Sequence, residues 1–176
     1  MRDKSNGVSV VGVLVLCAAA AGPVLAEPSP PLVAGGTEVA MAPWTPGEGM
    51  IGPNARIRGW TTTFLDTLVG PAGQLASGSG PVVMNCNLDE TVTGPCWGTF
   101  EFANATGTWV GTWFGEFNFV TGAGSYKAEA HGQGGLKGMV LTNDVVYPGY
   151  AFAVEGVPTG YIYSTVKNAG RHEGKH

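Results

Sequence analysis

The chain has 176 residues, 29 of them glycine, and a formal net charge of −4 at pH 7. Its 9 Lys and Arg residues are outnumbered by 13 Asp and Glu residues. This balance argues against nucleic-acid binding, which needs a basic face, and against electrostatic attachment to anionic membranes.

The first 26 residues are typical of a secretory signal peptide. Arg2 and Lys4 provide the positive start, and the apolar stretch at 8–21 is short for a bilayer span. Small residues at 24–26 suit cleavage, so we expect the mature chain to begin at Glu27 and to be secreted or periplasmic. An uncleaved membrane anchor is the alternative interpretation.

Composition divides the remainder into three parts. Residues 27–32 are rich in proline and predict a stiff, extended lead-in. Residues 33–166 form one domain, large enough to bury roughly two-thirds of its unfolded surface. Residues 167–176 are polar and predict a flexible tail.

Within this domain no segment has a convincing 3.6-residue apolar period, whereas several have the composition of strands. Residues 56–68 predict a long strand because they are rich in Thr, Ile and aromatic residues. Other strands are predicted at 81–85, 125–131, 136–141, 150–155 and 161–166, with a loop at 78–81 and a break at 143–144. Together with the hairpin described next, about eight strands are predicted. They favour an all-β, antiparallel barrel, with a sandwich as the alternative, because glycine lets strands bend to close.

The most distinctive segment, residues 96–119, alternates aromatic and small side chains. Residues two apart share one face of a strand, which groups Trp109, Trp113 and Phe117 with glycines and leaves a mostly polar opposite face. We expect Trp109 and Trp113 to line the barrel interior, with Gly111 leaving room for a neighbouring ring. The alternative is an exposed aromatic surface that binds a ligand.

Three polar residues in these strands are candidates for ligand contact or acid–base chemistry. Glu101 and Glu116 lie on the two strands of the aromatic hairpin and could act as a pair if both faced the lumen. His131 shares a strand face with Glu129. The simpler interpretation, which we favour, places all of these side chains in solvent.

Cleavage of the signal peptide leaves two cysteines, Cys86 and Cys96. In an exported protein they most simply form a disulfide, worth roughly 2.8 kcal/mol in the chain-entropy model. Two metal-binding thiolates are the alternative, but they lack the short spacing that zinc sites favour.

The last five residues, HEGKH, match the H-E-x-x-H pattern of zinc proteases. That chemistry needs a stable helix and a third ligand, whereas here Gly174 interrupts the motif and His176 ends the sequence. We therefore expect no metal centre, no catalytic set and no cofactor.

Three segments carry a resemblance: WGT from Trp97, GTWVGTWFG from Gly107 and GQGGLKG from Gly132. Together they resemble a group of small, uncharacterised, secreted bacterial β-rich proteins, over about half of the mature chain. That group is similar, at the level of fold only, to barrels of the allene oxide cyclase and dirigent type. The resemblance implies a barrel and no particular activity.

The sequence favours a secreted, non-catalytic, monomeric barrel that binds a small apolar ligand or a partner surface. One alternative is a barrel-type cyclase or isomerase that acts through a lumen carboxylate or His131, and another is a structural envelope protein. Candidate ligand contacts are Trp109, Trp113, Phe117, Glu116, Glu101 and His131.

Overall fold

The computed structural model describes residues 32–149 and 159–168. The predicted signal peptide, nearly all of the proline-rich lead-in, the predicted strand at 150–155 and the H-E-x-x-H motif lie outside the described residues.

Eight strands follow one another along the chain. They are β1 (Leu32–Ala40), β2 (Arg56–Leu68), β3 (Gly78–Asn87), β4 (Thr93–Ala103), β5 (Gly107–Asn118), β6 (Ala123–Gly134), β7 (Met139–Pro148) and β8 (Thr159–Asn168). Each strand pairs antiparallel with the next, and β8 pairs with β1, so the sheet closes into a barrel. The predicted all-β antiparallel barrel is confirmed. A four-residue helix, α1 (Gly73–Ala76), connects β2 to β3. No helix in the described part of the chain has the length and apolar character needed to cross a membrane.

The bounds of β2 agree with the sequence prediction, but two other predictions were wrong. The predicted loop at 78–81 belongs to β3, where a Cβ on Gly80 would lie 1.9 Å from the backbone oxygen of Glu101. Glycine here permits close approach of two strands and marks no turn. The predicted break at 143–144 lies within β7, because both polar side chains there find partners on neighbouring strands.

Alternate residues of each strand face the barrel interior. In β5, Trp109 and Trp113 are buried as predicted, while Phe114, the residue after Trp113, is 63% exposed. Gly111 has the expected role, since a Cβ at this position would lie 2.8 Å from Cε1 of the Phe100 ring. The aromatic hairpin therefore packs most of its large rings inside the barrel.

One end of the barrel is closed by the connection between β2 and β3. The backbone oxygen of Leu75, in α1, accepts hydrogen bonds from Trp109 Nε1 at 2.7 Å and from Asn104 Nδ2 at 2.9 Å. Leu136, in the turn between β6 and β7, is fully buried at the same end. These contacts fix α1 across the opening.

The opposite end carries the connection between β1 and β2, residues 41–55. Trp44 from this connection lies over the lumen, and its ring centroid is 5.9 Å from that of Phe64. Cys86 and Cys96 are directly opposite each other on β3 and β4 near this end, with their sulfur atoms at disulfide distance. The predicted disulfide is thus present and joins the two strands.

Candidate functional site in the barrel lumen

Two carboxylic side chains face each other inside the barrel. Glu38 on β1 is the direct cross-strand neighbour of Asp66 on β2. Glu38 is 2% exposed and Asp66 is 1% exposed. Acidic groups placed directly opposite each other destabilise a sheet, and burial of a carboxylate adds a further cost. Packing and stability alone therefore do not explain why two carboxyl groups are buried side by side here.

The carboxyl group of Glu38 is held by two tyrosines from the far wall. Tyr147 on β7 donates a hydrogen bond of 2.6 Å to Glu38 Oε1, and Tyr126 on β6 donates one to Oε2. Burial and the nearby acidic groups raise the pKa of both phenols well above 10, so the tyrosines stay protonated donors at neutral pH. Glu38 thus has a fixed position across the lumen.

Asp66 is placed differently. Its Oδ1 is buried and has no hydrogen-bond partner among the residues that the structure describes. Within the same part of the chain, the indole Nε1 of Trp44 is also buried without a partner. Buried polar atoms of native proteins are nearly always satisfied, by protein or by bound water, so two such atoms around one cavity indicate a place for a molecule.

The cavity beside these groups is narrow and mainly aromatic. Its walls include the carboxyl pair, the two tyrosines and the rings of Trp44, Phe64, Trp113, Phe117 and Phe119. The gaps between the lining residues total about 520 Å³ when open solvent is included, but the centre of a water molecule can reach only about 30 Å³ of that space. That is enough for one or two water molecules or a small polar group.

The environment changes the acidity of the carboxyl pair. Burial raises the pKa of Glu38 from its ordinary 4.5 to about 7, against the opposing effect of the two tyrosine hydrogen bonds. Burial, and then the charge of Glu38, raise the pKa of Asp66 well above 3.8. The pair therefore retains protons at a higher pH than two separated carboxyl groups would.

The structure divides the six candidate residues predicted from the sequence. Trp113 and Phe117 line the cavity, whereas Trp109 is buried at the closed end, beside α1. Glu101, Glu116 and His131 are exposed on the outer surface. The alternatives that placed Glu101 and Glu116 together in the lumen, or His131 there, are therefore wrong, because these strand positions alternate with the inward-facing side chains.

Sequence reasoning missed the polar residues of the lumen. Asp66 carried a usable signal, because it shares a strand face with Phe64 and Leu68 in a segment that was predicted as a strand. Tyr126 carried a similar signal, because it shares a face with Ala128. No comparable sequence signal marked Glu38, because its strand was not predicted.

Basic groups are absent from the described part of the lumen. The Lys and His residues in the described ranges are exposed, and Arg58 lies on the outside, 5.0 Å from the centroid of the Trp97 ring. The described residues also contain no group of three His, Cys, Asp or Glu side chains that could hold a metal ion. The carboxyl pair thus lacks a cationic counterpart there.

No protein-family model, curated protein or solved structure matches this chain.

Proposed function

We propose that this protein is an exported barrel that binds a small, largely apolar molecule in its lumen. The observation that carries this proposal is Oδ1 of Asp66, which has no partner among the described residues and lies in an aromatic cavity opposite a second carboxyl group. Sites for small molecules are typically apolar with a few convergent polar groups, and perturbed acidities are common in them.

A purely structural barrel is less compatible with this interior. Replacing a buried ionic cluster by apolar side chains of similar volume is often neutral or stabilising. A barrel selected only for stability would therefore gain from an apolar pair at positions 38 and 66. The presence of two buried carboxyl groups here therefore favours a role in recognition or chemistry.

Export is part of the same proposal. Its support is the basic start and apolar stretch of the first 26 residues, together with the disulfide, which is typical of oxidising compartments. We also propose that the protein is a monomer of bacterial origin, the latter on the resemblance described above.

The binding proposal is tested by filling the cavity. Ala128 lines it and is 8% exposed, so Ala128→Val occupies part of the space. Ala103→Val makes the same change at an exposed position of β4 and is the matched control. Intrinsic tryptophan fluorescence reports binding, because Trp44 and Trp113 line the cavity.

We expect an apolar probe such as 1-butanol to change the tryptophan emission saturably in the wild type and in Ala103→Val. Binding to Ala128→Val should be at least about tenfold weaker, with an unchanged far-ultraviolet dichroism spectrum. A lumen that holds only water would give no saturable response in any of the three proteins and would overturn the proposal. Mass spectrometry of material that copurifies with native protein would identify the natural ligand.

A second candidate function is acid–base catalysis on a bound ligand, as in a cyclase or isomerase. Glu38 favours it, because a carboxyl with a pKa of about 7 is suited to proton transfer near neutral pH, and two phenols hold it in place. For this function, Glu38→Gln should abolish turnover of the identified ligand while leaving its affinity within a few-fold of the wild type. Persistent turnover in that variant would exclude Glu38 as the acid or base.

A further inference from the structure

We infer that the ligand of the lumen is a small amine, bound as its ammonium cation, with the nitrogen at Asp66 and Glu38 and the apolar part among the aromatic rings. This inference rests on the proposed function, since it names the chemical class of the molecule that the cavity accepts.

Charge is the first argument. Glu38 and Asp66 are adjacent and almost completely enclosed, and no Lys, Arg or His side chain of the described residues faces them. The titratable groups of the other described strands that reach the pair are Tyr126 and Tyr147, which are hydrogen-bond donors and carry no positive charge. An anionic ligand would be repelled here, whereas a cation would supply the missing counter-charge.

Hydrogen-bond chemistry is the second argument. The available protein atom at the pair is an acceptor, Asp66 Oδ1, while each oxygen of Glu38 already accepts one bond and has capacity for another. An ammonium group offers up to three donors and no acceptor. At the carboxyl pair it therefore matches the protein groups in both type and number, whereas the donor Nε1 of Trp44 stays outside this match.

The surrounding rings are the third argument. The Phe117 centroid lies 5.7 Å from that of Tyr147, and the Trp113 centroid lies 5.4 Å from that of Tyr126. These rings pack against one another and line the same cavity as the carboxyl pair. Aromatic faces attract cations and also pack against apolar groups. Carboxyl groups and aromatic rings around one cavity thus suit a molecule with a cationic head and an apolar body.

Size sets which amines fit. The cavity has room for only one or two water molecules, so a ligand larger than an ammonium head must displace a ring. Trp44 is the best candidate to move, because it is only partly buried, it belongs to a connection and not to a strand, and its Nε1 has no partner in the described structure. Small amines with a short alkyl or single-ring body are therefore favoured over bulky ones.

The test compares matched amines and alcohols on the full mature chain. Calorimetry would measure n-butylamine against 1-butanol and benzylamine against benzyl alcohol, at about pH 8 and about pH 5. We expect each amine to bind at least about tenfold more tightly than its alcohol at the higher pH. This preference should shrink at the lower pH, where the carboxyl pair is protonated.

Two variants localise the effect. Asp66→Asn should remove most of the preference for the amine while leaving the affinity for the alcohol within a few-fold. Glu116→Gln, which removes a carboxylate from the outer surface, should leave both affinities unchanged. If Asp66→Asn does not fold, Glu38→Gln and the pH dependence of the wild type provide the same comparison.

The possible results separate the two proposals. Equal binding of amine and alcohol would overturn the amine inference and leave a neutral-ligand lumen standing. Tighter binding of amine that persists in Asp66→Asn and Glu38→Gln would place the cation elsewhere and also overturn it. Absence of saturable binding by all four compounds would count against the lumen site itself.

Discussion

Glu38 and Asp66 are direct neighbours across β1 and β2, yet only Glu38 has hydrogen-bond partners within the described residues. Two tyrosines hold Glu38, whereas Asp66 presents a free oxygen to the cavity. Glu38 is therefore held in place by hydrogen bonds, whereas Oδ1 of Asp66 is available to a bound molecule.

The stability of the protein should fall as the pH rises from about 5 to about 8. The pKa of Glu38 is raised to about 7, so the folded state retains a proton that the unfolded chain releases from about pH 4.5 upward. This difference corresponds to about 2–3 kcal/mol from Glu38 over that range, and the raised pKa of Asp66 acts in the same direction. Urea denaturation at the two pH values measures it; equal or greater stability at the higher pH would contradict the burial of the pair.

Asp66→Asn should stabilise the ligand-free protein at about pH 8, by about 1–3 kcal/mol, because it removes a buried like-charge contact without changing the shape of the side chain. The control is Asp144→Asn, at an exposed position where the carboxylate forms a surface ion pair with Lys127. That change should alter stability by less than about 1 kcal/mol. Marked destabilisation by Asp66→Asn would mean that the carboxylate has a stabilising partner after all.

Trp113→Ala should lower the free energy of unfolding by about 3–5 kcal/mol, as expected for a large buried aromatic side chain. Trp113 is 7% exposed, and its Nε1 donates a hydrogen bond to the Val83 backbone oxygen at 3.1 Å. Phe114→Ala, at the next residue but with a 63% exposed ring, should cost less than about 0.5 kcal/mol. Similar effects of the two substitutions in denaturant melts would show that the β5 faces are assigned incorrectly.

Cys96→Ser should lower stability by about 2–3 kcal/mol, because the disulfide closes the connection between β3 and β4. Reduction of the wild-type protein should give a similar loss, which serves as the control. Peptide mass mapping of unreduced, exported protein checks the bond itself, and two free thiols would refute it.

The sequence predicted the barrel because strand alternation is a local signal. In β5 the inward-facing rings recur at every fourth position, so both the strand and its buried face could be derived. β1 escaped prediction because its Gly35 and Gly36 have low strand propensity, and its stability comes from pairing with β2 and β8. A strand that is stabilised mainly by pairing with its neighbours has only a weak strand signal in its own sequence.

The candidate site was less predictable for a related reason. Whether Glu38 meets Asp66 depends on the register of two strands, and whether Tyr147 reaches them depends on closure of the barrel. Glu101, Glu116 and His131 were candidates because their residue types are chemically capable, but side-chain chemistry does not determine which way a residue faces. The face is set by alternation with the inward-facing aromatic rings.

The most direct test of the lumen site is a carbon-13 NMR titration of the side-chain carboxyl groups, with Glu38→Gln and Asp66→Asn used to assign the two signals. We expect Glu38 to titrate near pH 7 and the pKa of Asp66 to lie well above 3.8. Saturating n-butylamine should lower both values, because a cation favours the ionised carboxyl groups. If both groups titrate near their ordinary values and do not respond to the amine, the carboxyl pair is solvated and the lumen is not the binding site.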